Sequence, residues 1–425
     1  MARPSWRVGP ARRARRHWSR SRIPTCARRC GPGRKRRCSP PRAEGRALDD
    51  ATPPEIPDDW GRAVSRLGAA TLAGLEGLDR ARRYLHPPAL PRLRQGLGVA
   101  AERLELALEA FREQSAPTAL APFAEQLLVG AVSAFEALRR FAEPGPPGEA
   151  VARVLASFRS QCRALEQLYP LRMALPPLGR YFVEPAFHEH LAALDPDPTP
   201  ERVGLHVAGD AAEPDARGGF SLYVPEWIDA STPRPLVVAL HGGSGHGRDF
   251  LWTWLREARG RGFLLLAPTS QGGTWSLDAP LVDARRLASM IDWVSERWPV
   301  DRARVLLTGL SDGATFTLLA GLADSAPFSA LAPVSGVLHP AALGRGGFER
   351  ARGRRIYLAH GALDWLFPVA LARLARDELE RAGAALVYRE IDDLSHTYPR
   401  EENDRILGWF DPSLALPAAP SGVPE

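Results

Sequence analysis

A serine hydroxyl attacks a carbonyl only when a base lies in hydrogen-bond reach and fixed donors receive the negative oxygen that forms. Residues of those types stand in this chain just past runs that read as strands. Val305-Leu306-Leu307-Thr308 leads into Gly309-Leu310-Ser311-Asp312-Gly313, and a helical pattern follows at Ala314, Leu318, Leu319 and Leu322. In a G-x-S-x-G turn the glycines flank the serine because the backbone is too tightly folded for side chains, and the hydroxyl is left exposed. Ser311 is therefore the candidate nucleophile. Further on, Arg355–Ala359 leads into His360-Gly361-Ala362-Leu363-Asp364, and Ala385–Ile391 leads into Asp392-Asp393-Leu394-Ser395-His396. A serine, an acid and a histidine thus follow three successive candidate strands in that order. Upstream, Leu236–Leu240 runs into His241-Gly242-Gly243-Ser244-Gly245-His246-Gly247, where glycines let backbone N–H groups face a ligand. A phosphate loop is the competing reading of these glycines, but no G-x-x-x-x-G-K-[ST] pattern occurs and the lone lysine, Lys35, lies elsewhere.

The elements that must hold these residues are legible from about Glu201 onward. Short apolar or β-branched runs alternate there with helical segments, the pattern of a mainly parallel sheet flanked by helices. The expected strands are Val203–Val207, Phe220–Val224, Leu236–Leu240, Phe263–Ala267, Val305–Thr308, Leu331–Val334, Arg355–Ala359 and Ala385–Ile391, the first two forming an antiparallel edge. Helices are expected to start near Asp249, Leu281, Gly313, Val369 and Arg400. In such sheets functional residues collect past the C-terminal ends of the strands, where Ser311, Asp364 and His396 fall.

Over residues 201–412, about half of the chain, the sequence resembles the esterase branch of the α/β-hydrolases. It is similar to the phospholipase/carboxylesterase and polyhydroxybutyrate-depolymerase-like families. The residues that carry the likeness are Leu240-His241-Gly242-Gly243, Asp249-Phe250, Gly309 to Gly313, His360-Gly361 through Asp364 with Phe367-Pro368-Val369, and His396-Thr397-Tyr398-Pro399. One departure is Ala314, where these esterases often have a further glycine. The resemblance implies an α/β-hydrolase fold that cleaves a small-molecule carboxylic ester through an acyl-serine intermediate, with no cofactor and no metal ion. His396 would be the base and Asp364 the carboxylate that fixes its tautomer. The backbone N–H groups of Gly243 and Asp312 stand where the resemblance implies an oxyanion hole.

Rival residues have structural readings. His241 and His360 each precede a glycine at a strand end, where a histidine bonds loop backbone. Asp392 and Asp393 sit too close to His396 on one loop to reach it from behind. Ser244, Gln271, Trp275 and Trp365 are the expected substrate-binding residues, and an aromatic wall favours an apolar acyl or aryl group. Trp252 and Trp254 read as packing residues on a helix. A thioesterase, lysophospholipase, polyester depolymerase or peptidase would use the same three residues. The alternative from another class is a non-catalytic binding protein of this fold whose helical domain is the partner site.

The rest of the chain divides into a basic, disordered extension (1–57), a helical bundle (58–170), a Pro-rich connector (171–200) and a tail (413–425). Residues 1–46 hold 15 Arg and Lys35 against Glu44 alone, a charge of +15 that leaves −9 for the remainder of a chain whose total is +6. The folded part is acidic, so nucleic-acid binding is not argued. The Arg-heavy, Lys-poor usage also fits a stretch upstream of the true start codon. No apolar run follows the Arg pairs as a secretory signal needs, and the spacing of Cys26, Cys30 and Cys38 is not that of a zinc site. No uninterrupted apolar run reaches membrane-spanning length, and a cytoplasmic protein is expected. The bundle is predicted from an uncertain first helix, Trp60 to Tyr84, weakened by Gly68, Gly74 and Gly77, and from three seams. These are Leu97, Ala101, Leu104, Leu108, Phe111; then Ala124, Leu128, Ala131, Phe135, Leu138; then Val151, Leu155, Phe158, Cys162, Leu165. Cys162 reads as a small core residue. Docking, partial cover of the site and partner binding are the open roles of the bundle, and the sequence names no protein partner for it.

Overall fold

The computed structural model describes residues 8–10, 57–146, 148–196, 201–209, 216–229, 231–344 and 346–416. The expectations of disorder and of an upstream start for the basic extension fall outside these residues, except at Val8–Pro10 (β1). That segment forms a short antiparallel strand on the sheet edge, with Val8 opposite Ala208. An open edge accepts any segment free of steric conflict, which is why three residues without apolar periodicity can be strand.

The remaining strands are β2 (Gly204–Ala208), β3 (Phe220–Val224), β4 (Arg234–Leu240), β5 (Leu264–Pro268), β6 (Val300–Leu310), β7 (Ala330–Val334), β8 (Arg355–Gly361) and β9 (Ala385–Ile391). Their order across the sheet is β1-β2-β3-β5-β4-β6-β7-β8-β9. The first four strands in that order pair antiparallel, and every pair from β5 to β9 is parallel. Strands buried on both faces must be apolar throughout. In β4, Val237 and Ala239 join one core while Leu236, Val238 and Leu240 join the other. The crossing of β4 and β5, the antiparallel β3 and the parallel run from β4 to β9 make this an α/β-hydrolase fold.

The helical region consists of α1 (Asp58–Arg83), α2 (Leu90–Arg112), α3 (Ala121–Ala142) and α4 (Ala150–Leu168). The glycines of α1 do not break it, because tertiary packing outweighs propensity. Gly74 instead permits close approach, since a Cβ there would lie 2.8 Å from Leu138 Cδ1. The α2 seam is buried as its periodicity predicts. The α3 and α4 seams differ: Leu128 and Phe135 are only half-buried while Leu127, Ala134 and Phe141 are buried, and Leu155 is 44% exposed. Helix α4 is wedged between α3 and the sheet region, so its buried stripe turns to Val154, Cys162, Leu165 and Leu168. The segment Thr118–Ala142 is long and apolar enough to cross a membrane by length and composition alone. Here it packs against α1, α2 and α4.

After α4 the chain makes two further short helices, α5 (Pro176–Tyr181) and α6 (Leu191–Leu194), on the sheet face that also carries α7 (Gly247–Phe250), α8 (Leu255–Arg261) and, much later, α14 (Glu402–Phe410). One apolar cluster runs from the four helices through Tyr169, Phe182 and Trp252 to Tyr223, Val237 and Ala239. A buried polar network crosses this joint. Tyr169 and Tyr223 both donate to Glu226, at 2.8 and 2.7 Å, Arg172 bridges Glu226 and Asp195, and the fully buried Arg259 also pairs with Asp195. The other sheet face is covered by α9 (Leu281–Ser295), α10 (Asp312–Gly321), the short α11 (Pro340–Leu343) and α12 (Gly347–Ala351), and α13 (Val369–Arg381). At the C-terminal end Leu414 is still buried and its carbonyl accepts from Arg261, so packing continues past 412 into the expected tail.

Candidate active site

Three loops at the C-terminal ends of β6, β8 and β9 meet at one point. Ser311 sits between β6 and α10 with φ 57° and ψ −119°, a left-handed conformation that costs a non-glycine residue on the order of 1–3 kcal/mol. The tightness of the turn explains its glycines: a Cβ on Gly309 would lie 2.6 Å from Gly313 C, and one on Gly313 would lie 2.5 Å from His241 O. The imidazole of His396 accepts from Ser311 Oγ at Nε2 (2.9 Å) and donates from Nδ1 to Asp364 Oδ2 (2.8 Å). Asp364 has its side chain fully buried, and its other oxygen accepts from the amides of Leu366 (3.0 Å) and Phe367 (2.8 Å). These bonds stabilise the carboxylate, and the Phe367 ring stands edge-on to His396 with centroids 5.1 Å apart.

The loop after β4 lies against this turn. A Cβ on Gly242 would stand 3.4 Å from Ser311 Cβ, and one on Gly243 would come within 2.7 Å of Asp312 Oδ2. The Asp312 carboxylate accepts from Thr274 Oγ1 at 2.6 Å, so its side chain is held locally. The amides of Gly243 and Asp312 have no acceptor among the described residues. His241 is buried behind the loop, where Nδ1 donates to Gly242 O (2.7 Å) and Nε2 accepts from the Ser270 amide (3.1 Å). Desolvation pushes its pKa down to about 3, so the ring is neutral and structural. His360 is likewise buried, bonded to Phe367 O at 2.8 Å and lowered in pKa chiefly by desolvation.

The expected substrate-binding residues separate. Trp275 does not form a pocket wall. It is buried, its Nε1 donates to His241 O (2.8 Å) and its ring stacks on Phe316 at 5.3 Å. An indole beside a carbonyl that needs a donor is drawn inward, and periodicity does not reveal that partner. Ser244 and Gln271 are exposed, and Trp365 is 47% exposed. Trp252 and Trp254 are buried packing residues, Trp254 beside Tyr398 and Trp252 beside Tyr169 and Phe182. Asp393 pairs with Arg83 at 2.7 Å and does not reach His396.

Several contacts around the site carry no sequence signal. Thr397, next to His396, donates to Arg82 O at the end of α1 (2.9 Å). Arg83 pairs with both Asp393 and Glu401, which flank the His396 loop. Arg159 of α4 donates to Ser244 O at 2.9 Å, and Arg217 donates to Gly245 O at 3.2 Å. These partners lie 28 to 318 residues apart in the chain, beyond the reach of any local pattern.

No family model matches the chain. Two acetylxylan esterases A are similar to part of it. The one from Emericella nidulans is 29% identical over 132 residues, covering 28% of this chain and 42% of the relative. The one from Aspergillus awamori is 30% identical over 112 residues, covering 23% and 36%. The chain thus spans less than half the length of the relatives it matches. Among solved structures, the acetyl xylan esterase from Aspergillus awamori aligns with a TM-score of 0.39 at 18% identity, covering 49% of this chain and 98% of that one. By its strand order, the turn at Ser311 and this partial sequence similarity, the chain is an α/β-hydrolase-fold protein similar over about a quarter of its length to acetylxylan esterases.

Proposed function

We propose that the chain hydrolyses carboxylic esters, with Ser311 as nucleophile, His396 as base and Asp364 as the residue that orients and charges the imidazole. The observation that carries this reading is the unbroken Ser311–His396–Asp364 hydrogen-bond line beside two amides with no acceptor among the described residues, those of Gly243 and Asp312. His396 takes the Ser311 proton as Oγ attacks the ester carbonyl. The oxyanion is received by the two amides, each such donor being worth about 3 kcal/mol of barrier in enzymes where it has been measured. His396 then gives its proton to the leaving alcohol, and water, activated by the same imidazole, releases the acid and frees Ser311. The similarity to acetylxylan esterases supports short acyl esters as the first substrates to test. With 4-nitrophenyl acetate we expect Ser311→Ala to lower kcat by about 1,000-fold or more. Rates in both proteins no higher than the uncatalysed hydrolysis would remove the reading and leave a binding protein of this fold.

A further inference from the structure

Gly242 to Gly245 form a tight turn, closed by the Gly245 amide donating to Gly242 O at 3.0 Å. Gly242 faces Ser311 closely enough that a Cβ there would stand 3.4 Å from Ser311 Cβ, and two guanidinium groups hold carbonyls of the same turn. Arg159, an exposed residue reaching in from α4, donates from Nη2 to Ser244 O at 2.9 Å. Arg217 donates from Nη2 to Gly245 O at 3.2 Å and to Ser270 Oγ at 2.6 Å, and from Nε to Ser270 O at 3.2 Å. Neither arginine is in an ion pair among the described residues, whereas their neighbour Arg248 pairs with Glu166. The acidic neighbour whose field reaches Arg159 is Asp249, which makes no ion pair with it and whose carboxyl burial pushes up to about 6. The two cations also feel one another, since burial first and the Arg159 charge second hold the Arg217 guanidinium below its usual value.

Two guanidinium groups that grip neighbouring carbonyls and form no ion pair among the described residues can receive an anion, and guanidinium forks match carboxylate and phosphate groups. The carbonyls they hold lie one and two residues past Gly243, which puts such an anion beside the loop of the site. We infer that Arg159 and Arg217 form an anion subsite that selects esters bearing a carboxylate or phosphate besides the scissile bond. This rests on the esterase reading and deepens it, and it gives the helical region a part in specificity through Arg159.

The test compares kcat/KM for three anionic esters, 4-nitrophenyl hemisuccinate, 4-acetoxybenzoate and 4-acetoxyphenyl phosphate, each against the neutral ester made by methylating its anion. In the wild type the anionic-to-neutral ratio for at least one pair is expected to exceed that of Arg159→Gln/Arg217→Gln by about tenfold or more. It should also fall several-fold as NaCl rises from about 0.05 to about 0.5 M. Arg159→Glu, a change at an exposed side chain that folding tolerates, should push the same ratio below that of Arg159→Gln. The pair that responds identifies the anion and the side of the ester that carries it. Ratios equal in wild type and all variants for all three pairs would overturn the subsite. Failure of the wild type on every ester, anionic and neutral, would instead overturn the esterase reading.

Discussion

Ser311, Asp364 and His396 leave the ends of β6, β8 and β9, so the backbone of the sheet fixes where each begins. The helical region reaches the same place mostly with long side chains, Arg83 to Asp393 and Glu401 and Arg159 to the Ser244 carbonyl, and with one backbone carbonyl, that of Arg82, which accepts from Thr397. Backbone register holds an atom to a fraction of an ångström, whereas an arginine on a partly exposed surface holds its partner weakly. Changes at the strand ends should therefore abolish the chemistry, while changes on the helices should modulate it.

Asp364→Asn gives the largest contrast. The amide leaves the site's shape intact but favours the wrong imidazole tautomer, and kcat should fall on the order of 10,000-fold, as in serine hydrolases where this change was made. Rates with 4-nitrophenyl acetate and an unchanged circular dichroism spectrum check it. A fall below about tenfold would mean that register at β8 is not what sets the rate.

Arg259→Ala tests whether the two regions fold as one. Arg259 is fully buried and shares Asp195 with Arg172, and removing one partner of such a pair costs roughly 3–5 kcal/mol. Because the network of Tyr169, Glu226, Arg172 and Asp195 joins helices to sheet, we expect one thermal transition, lowered as a whole. Two separated transitions by calorimetry would show the joint to be dispensable to each region.

Arg83→Ala sharpens the modulating role. Arg83 braces both flanks of the His396 loop through partly exposed ion pairs, so a loss of about 1 kcal/mol is expected, a roughly fivefold lower kcat with KM little changed. Arg83→Lys should recover part of it, and high salt should shrink the wild-type advantage.

The smallest effect is electrostatic. Desolvation raises the Asp249 carboxyl to about 6, so below that value the folded state binds a proton that the unfolded chain, titrating near 3.8, has already lost. The stability this gives is present in full below about 3.8 and is gone above about 6. Asp249→Asn should raise the Tm at pH 8 relative to pH 4, by a few degrees at most. A larger gain at the acid end contradicts the assignment of a desolvated carboxyl.

The same contrast governs what could be read from the residues alone. The sheet was legible because apolar runs mark strands, and strand ends are where a parallel sheet gathers its chemistry, so Ser311, Asp364 and His396 could be named together. The glycines of the β4 loop were legible as close-approach positions. Trp275 was not, because an indole on a loop shows its destination only through a partner, here the His241 carbonyl 34 residues away. The α4 seam was misplaced at Leu155 because periodicity assumes a single buried side, and α4 has two neighbours. Arg159 and Arg83 are invisible because their partners are set by how the helices dock, and Arg217 because its partners lie 28 and 53 residues away, which no local pattern encodes.

Covalent labelling with a fluorophosphonate, followed by peptide mapping, tests the central assignment most directly. The account predicts a single adduct on Ser311, formed far more slowly in His396→Ala and absent in Ser311→Ala. A wild-type protein that takes no label, or a label that persists in Ser311→Ala, would contradict it.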